Sequence, residues 1–112
     1  MIIRVFRAIV HDGKQEEFTE FFVNKAIPIL KRQRGMLGVT VGKPMSCSPN
    51  EFLMVTTWAD MKALEGFAGS TWQNAVIDPD EADLLKQTFV HHYEGMITEK
   101  ETWSARGSGA HR

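Results

Sequence analysis

Residues 58–72 read W-A-D-M-K-A-L-E-G-F-A-G-S-T-W, and they contain signals for three consecutive elements. Trp58 closes an apolar segment that has the composition of a buried strand. Asp60 then provides a helix N-cap, and apolar residues at helical spacing follow it as far as Gly69, a typical helix stop. Trp72 comes in the turn after that glycine. The stretch therefore predicts a strand, a short amphipathic helix and a turn that follow one another without a spacer.

The N-terminal third predicts a strand followed by a helix. Residues 2–10 are apolar or β-branched apart from Arg4 and Arg7, which predicts a strand buried on both faces. Asp12 is expected to cap the next helix, and Pro28 should kink or restart it because proline lacks the N–H that its first half would use. Gly35 is the expected stop. The apolar stripe of this helix contains Phe18, Phe21, Phe22, Ala26, Ile29 and Leu30.

The remaining segments complete a βαββαβ order. Residues 37–45 and 51–58 predict a hairpin, and residues 86–96 predict the last strand. Residues 78–81, Asp-Pro-Asp-Glu, match a capping box with proline at the first helical position, which explains this acidic cluster without a metal. The prediction is an α+β, ferredoxin-like fold, an antiparallel four-stranded sheet with helices on one face.

The predicted sheet has more apolar surface than its helices can cover. Two short helices cover one face of four strands, yet the first and third strands are apolar on both faces. The other face needs a cover, and a second copy of the chain is the simplest one. We therefore expect a homodimer in which two sheets pack face to face.

Size and charge limit the classes of function. The 112 residues allow one domain, expected at 1–96, followed by a flexible tail at 97–112 that Trp103 partly anchors. The net charge of −1 gives no basic patch for nucleic acid or an anionic membrane. A single cysteine cannot form an internal disulfide, and the N-terminus has no signal-peptide pattern. We expect a cytoplasmic protein without nucleic-acid or membrane partners.

Several short groups of residues within 2–96 have an order and spacing that can be compared with those of known families. They are Arg4-Val5-Phe6, Pro28-Ile29-Leu30 followed by Gly35, Trp58, Phe67-Ala68-Gly69, Trp72, and His92-Tyr93-Glu94. Together they resemble the antibiotic biosynthesis monooxygenase (ABM) superfamily, in the branch with His-Tyr-Glu on the last strand. The resemblance implies a dimeric α+β barrel and a small apolar or aromatic ligand. It also implies oxidation of phenols or quinols without metal or flavin, in a dry aromatic pocket with a hydrogen-bond donor and a base.

The resemblance and the residue chemistry give a set of candidate site residues. His92 and Arg7 are the predicted catalytic residues, with His92 as the base. The predicted substrate-binding residues are Arg4, Phe6, Trp58, Phe67, Trp72, His91 and Tyr93.

Each candidate also has a structural interpretation. The tryptophans can be core residues, and a histidine can belong to the dimer interface. His91 and His92 are neighbours on a strand, so they point to opposite faces and at most one enters the pocket. Arg4 and Arg7 likewise face opposite sides, and Glu94 is the expected carboxylate partner of a buried arginine.

No metal or other cofactor is expected. Haem-degrading relatives use an asparagine on the first strand, a tryptophan in the helix after the third strand and an axial histidine. The matching positions here hold Phe6 or Arg7, Phe67 and Ile77, so haem degradation is not expected. The alternative to an oxygenase is a non-catalytic ligand-binding or dimerisation module of the same fold.

Overall fold

A computed structural model of the chain describes residues 1–99. Its strands are β1 (Ile2–Val10), β2 (Met36–Gly42), β3 (Glu51–Trp58) and β4 (Leu85–Glu94). Its helical elements are α1 (Gln15–Phe21), a π-helical segment (Phe22–Ala26), α2 (Ile27–Lys31), α3 (Met61–Ala68) and α4 (Pro79–Ala82). Trp103 and most of the predicted tail lie outside the described residues. Within residues 1–99, no helix has the length and hydropathy needed to cross a bilayer.

The four strands form one antiparallel sheet in the order β2-β3-β1-β4. In the middle of β1, Val5 lies opposite Val55 of β3 and His91 of β4. This arrangement confirms the predicted α+β fold of βαββαβ order.

Alternation along β1 separates the two faces of the sheet. Arg4, Phe6, Ala8 and Val10 are buried beneath the helices, whereas the residues between them are only partly buried. One core cluster joins Phe18, Phe22 and Phe52 with the β1 residues, and the other joins Leu30, Trp58 and Leu64. Within residues 1–99 both clusters lie on the helix side, which leaves the opposite face of the sheet open.

The helix after β1 begins and continues differently from a regular α-helix. Asp12 does not cap it: the N-cap is Lys14, and Asp12 Oδ1 instead accepts a hydrogen bond of 2.6 Å from Asn50 Nδ2. The predicted restart near Pro28 is confirmed. The Ile27 N–H donates to the Phe22 carbonyl, five residues back, and α2 begins at Ile27. The missing N–H of Pro28 thus falls where the π-helical segment gives way to α2.

The other helix ends confirm the predicted caps. Asp60 accepts a hydrogen bond of 2.8 Å from the Ala63 N–H, and Asp78 and Glu81 form the reciprocal capping box of α4. Two strand ends were wrong. β2 stops at Gly42, two residues before Pro44, and β4 stops at Glu94 before Gly95. Proline and glycine interrupt strands, and the apolar pattern alone ran past them.

Candidate functional site

A cavity of about 270 Å³ lies between the sheet and the helical layer. Its wall is mostly apolar and aromatic, and its main apolar residues are Phe6, Phe21, Phe22, Leu30, Met54 and Phe67. The π-helical segment contributes Phe22 and Ala26, so the irregular turns before Pro28 form part of the wall. Local π geometry of this kind is frequent at functional sites. Among the lining residues, Arg4, Asp78 and Glu81 have charged side chains.

Arg4 is a buried cation on this wall, with 4% of its surface exposed. Its Nη1 donates to the Trp72 carbonyl at 2.6 Å and to His92 at 2.9 Å, and its Nη2 donates to the Asn74 carbonyl at 3.0 Å. Among the residues that the structure describes, no carboxylate pairs with Arg4. Burial accordingly lowers the pKa of Arg4. The guanidinium has five N–H donors, so its Nε–H and one Nη2–H have no partner within that part of the chain.

His92 lies beside Arg4 and is tied to it. A guanidinium has only donors, so the 2.9 Å contact requires His92 Nε2 to accept and the proton to sit on Nδ1. Burial and then the nearby Arg4 charge lower the pKa of His92. The Trp72 ring meets the imidazole edge to face, with centroids 4.9 Å apart. His92 is therefore a neutral ring whose Nε2 lone pair is already engaged.

Glu81 is the second buried charged group of the cavity wall, with 4% of its surface exposed. Its Oε2 accepts the Asp78 N–H at 2.9 Å as half of the α4 capping box. Its Oε1 accepts no hydrogen bond from any residue in 1–99. Burial raises the pKa of Glu81 to about 7, against the lowering effect of the Asp78 N–H. Glu81 thus changes charge near neutral pH.

Lys25 of the π-helical segment pairs with two aspartates at the start of α4. Its Nζ lies 3.0 Å from Asp78 Oδ1 and 2.5 Å from Asp80 Oδ2. These carboxylates raise the pKa of Lys25. The ion pairs link the capping box that contains Glu81 to the π-helical segment.

The structure brings together some of the predicted site residues. Arg4, Phe6 and Phe67 line the cavity, and His92 and Trp72 lie behind them as the partners of Arg4. Trp58 is fully buried, stacks on Phe67 with centroids 5.2 Å apart, and donates to Thr56 at 2.9 Å. Trp58 therefore packs behind Phe67 and does not line the cavity itself.

The other three candidates lie on the open face of the sheet. Arg7 pairs with Glu51 at 2.6 Å and places its guanidinium 4.6 Å from the Phe89 ring centroid. His91 and Tyr93 are exposed on the same face. The structure therefore does not bring Arg7 and His92 together. The predicted opposite orientations of the two arginines and of the two histidines are confirmed.

The expected partner of the buried arginine was wrong. Glu94 is exposed and lies opposite Ile2, at the end of the sheet. Arg4 instead uses two backbone carbonyls from the turn after α3, which reaches over the end of β1. A sequence pattern does not show which loop carbonyls will meet a buried donor.

Sequence reasoning also missed Glu81. Its position in the capping box explained the side chain completely, and a capping glutamate is usually exposed. Its burial follows from the packing of α4 over the cavity, next to Leu84. The only available signal was the apolar Val76-Ile77 segment immediately before the box.

The positions that correspond to the haem-degrading residues now have a location. Phe6, Phe67 and Ile77 all line the cavity, whereas Arg7 does not. Among the described residues, no histidine lines it. Within residues 1–99, the cavity wall therefore has no imidazole that could ligate a haem iron.

Comparison with known proteins places these features in a family. A profile of the antibiotic biosynthesis monooxygenase family matches residues 1–79. The chain belongs to this family. No curated protein sequence matches it. The fold of the family recurs in solved structures of low sequence identity.

One such structure is a protein described as an antibiotic biosynthesis monooxygenase from Deinococcus radiodurans, with a TM-score of 0.71 and 14% identity over 91% of this chain and 99% of that one. Another of the same description, from Bordetella bronchiseptica, has a TM-score of 0.65 and 22% identity. The match covers 86% of this chain and 97% of that one. A variant of SnoaB, a cofactor-independent oxygenase from Streptomyces nogalater, has a TM-score of 0.67 and 21% identity. The match covers 89% of this chain and 97% of that one. At these identities the similarity shows the shared fold.

Proposed function

We propose that this ABM-family protein is a cofactor-independent monooxygenase that oxidises a small phenol or quinol bound in the cavity. The observation that carries the proposal is Arg4, a buried cation on an aromatic wall with no carboxylate partner among the described residues. A buried charge is costly unless it is paired. An anionic oxygen on a flat apolar ligand would supply the missing partner. SnoaB, which shares the fold, is a cofactor-independent oxygenase.

The cavity size limits the substrate. Pockets for drug-sized ligands usually measure about 300–1,000 Å³, and an apolar cavity of about 150 Å³ holds a benzene ring. The cavity of about 270 Å³ therefore suits a molecule of one or two rings. A larger polycyclic substrate would require the walls to open.

The chemistry that fits this site begins with a phenolate. Removal of the hydroxyl proton leaves an electron-rich anion, which can pass an electron to dioxygen. A phenol with a free para C–H and one dioxygen molecule then give a quinone and water, and a quinol with a free ring C–H gives a hydroxyquinone and water. In both cases the substrate itself supplies the electrons. Arg4 would stabilise the oxyanion at a mostly apolar wall, where electrostatic interactions are stronger than in bulk water.

The open face of the sheet supports a homodimer in this proposal. Its partly exposed apolar residues are Ile3, Val5, Ile9, Leu53, Val55 and Phe89. Pairing two such faces would cover these residues and the exposed side of the Arg7–Glu51 pair. The predicted cytoplasmic location stays a prediction.

Oxygen uptake tests the proposal. The protein, freed of metal and flavin, should consume dioxygen with at least one member of a panel of one- and two-ring phenols and hydroquinones. Loss of a charge-assisted hydrogen bond costs about 1.5–3 kcal/mol, so Arg4→Met should weaken phenolate binding roughly 10- to 100-fold. Arg32→Met, at an exposed arginine after α2, is the matched control.

The alternative is a non-catalytic binding module. It predicts that a phenol binds with the same dependence on Arg4 but that no member of the panel is oxidised. If phenols do not bind at all, or bind equally well to Arg4→Met, the proposed site is wrong.

A further inference from the structure

We propose that Glu81 is the proton acceptor of this cavity, and that the ligand is therefore selected for a hydroxyl group that it can present to Glu81 Oε1. This inference rests on the proposed function and names its base and its substrate class. A purely apolar ring would leave the carboxyl group unpaired. A phenol or quinol would provide the missing donor.

The geometry of the carboxyl group supports this role. Oε2 is held at 2.9 Å by the Asp78 N–H, so the group has a fixed orientation. Oε1 has no hydrogen-bond partner among residues 1–99, although Glu81 is almost completely buried on the cavity wall. Buried polar atoms are nearly always satisfied, and an unsatisfied one costs about 1–3 kcal/mol. A ligand hydroxyl in the cavity would remove that cost.

The surrounding charges leave Glu81 available as a base. Asp78 belongs to the same capping box, and Lys25 from the π-helical segment is engaged by Asp78 and Asp80. Arg4 from β1 lines the same cavity, yet neither cation forms an ion pair with Glu81 among the described residues. Because burial raises the pKa of Glu81 to about 7, the carboxylate and carboxylic acid coexist near neutral pH. A general base is most effective under this condition.

Glu81 is better placed for proton transfer than His92, the base predicted from sequence. His92 Nε2 already accepts a hydrogen bond from Arg4, and a protonated ring would put two cations 2.9 Å apart. His92 is also absent from the cavity wall. The hydrogen bond to Arg4 suits His92 to orient that guanidinium.

The proposed step is a single proton transfer. The ligand O–H bond breaks, the proton forms a new O–H bond with Glu81 Oε1, and the electron pair stays on the ligand oxygen. Glu81 becomes neutral while the ligand becomes an anion, so the charge moves from the protein to the ligand. Glu81 later returns the proton to solvent or to the water that the reaction forms.

Glu81→Gln is the main test, because Gln has the same shape and can still accept the Asp78 N–H but cannot take up a proton. With a phenol that the wild-type protein oxidises, Glu81→Gln should lower kcat about 100-fold or more and change KM little. The rise of the wild-type rate with pH through neutrality should disappear. Glu65→Gln, at an exposed glutamate of α3, should keep the wild-type rate and pH profile.

His92→Ala separates the two candidate bases. If Glu81 is the base, His92→Ala should raise KM through a misplaced Arg4 and should retain the pH-dependent rise in kcat. A normal rate and pH profile in Glu81→Gln would overturn the inference and leave the oxygenase proposal standing. If His92→Ala then lost the pH profile, His92 would be the base.

Binding measurements extend the test to a protein without turnover. If no phenol is oxidised, the oxygenase proposal fails, but phenol affinity should still rise as Glu81 ionises, and this rise should be absent in Glu81→Gln. Equal, pH-independent affinities in the two proteins would overturn the inference. If no phenol binds the wild-type protein, both proposals fail.

Discussion

Replacement of Glu81 by glutamine should change how the stability of the protein depends on pH. The folded-state pKa of Glu81 is about 7, whereas its ordinary value is 4.5. A pKa raised by folding means that the folded state binds the proton more tightly than the unfolded state. The resulting contribution to stability is fully present below pH 4.5 and is lost as the pH rises through 7. Glutamine, which does not titrate, should lack this dependence.

The size of the effect follows from the pKa shift. One pKa unit corresponds to 1.36 kcal/mol, so the wild-type protein should lose about 3 kcal/mol of unfolding free energy relative to Glu81→Gln between about pH 4 and pH 9. Glu81 is only 4% exposed, so solvent screening reduces this number little. For a domain of this size the difference corresponds to roughly 10 °C or more in melting temperature.

Urea or thermal unfolding at several pH values measures this difference. Protein concentration must be fixed, because a dimer gains stability by mass action. Other carboxylates titrate in both proteins, so the quantity of interest is the difference between the two curves. Glu65→Gln should follow the wild-type curve. Parallel curves for wild type and Glu81→Gln would show that Glu81 has the same proton affinity in the folded and unfolded states, and would contradict a raised pKa.

Three further predictions concern the scaffold, the assembly and haem. Gly35 has a φ of 81° and an added Cβ would lie 2.5 Å from the Ala63 Cβ, so Gly35→Ala should cost roughly 2–5 kcal/mol in urea unfolding. Gly13→Ala, with the same φ and open space, should cost clearly less, and equal costs would rule out the clash. Light scattering should give twice the chain mass for the wild-type protein. Leu53→Arg on the open face should give monomers, whereas Val23→Arg on the helical side should not. A folded wild-type monomer would contradict the dimer. Haemin should show no axial-histidine spectrum and no degradation with reductant and oxygen, and stoichiometric haem breakdown would contradict the alignment.

The sequence was sufficient for the elements whose signals are local. Asp60 and the Asp78–Glu81 box are read within four residues, and both caps form as predicted. Strand alternation also placed Arg4 and Arg7 on opposite faces. Asp12 is not the cap: the N-cap lies two residues later, at Lys14, and the Asp12 carboxylate accepts from Asn50, a residue far along the chain. Competition of this kind is not visible in a local pattern.

The site was only partly predictable, because its chemistry depends on which elements meet. Arg4, Phe6 and Phe67 were predicted as substrate-binding residues from the family resemblance and the residue chemistry, and all three line the cavity. The role of Glu81 depends on how α4 packs against α1 and pairs with Lys25. The contact between His92 and Arg4 depends on the register of β4 against β1. These are long-range contacts. Residue types and spacing indicate which groups are available, and packing decides which of them face a ligand.

Isotope-labelled dioxygen shows directly whether the protein is a cofactor-independent monooxygenase. The metal- and flavin-free protein is incubated under labelled dioxygen with the phenol of the panel that supports the fastest oxygen uptake, and the product is analysed by mass spectrometry. A cofactor-independent monooxygenase with Glu81 as its base should put one labelled oxygen atom in the product and the other in water, with incorporation strongly reduced in Glu81→Gln and unchanged in Glu65→Gln. A product without label, hydrogen peroxide in place of water, or no oxygen uptake with any member of the panel would contradict this prediction.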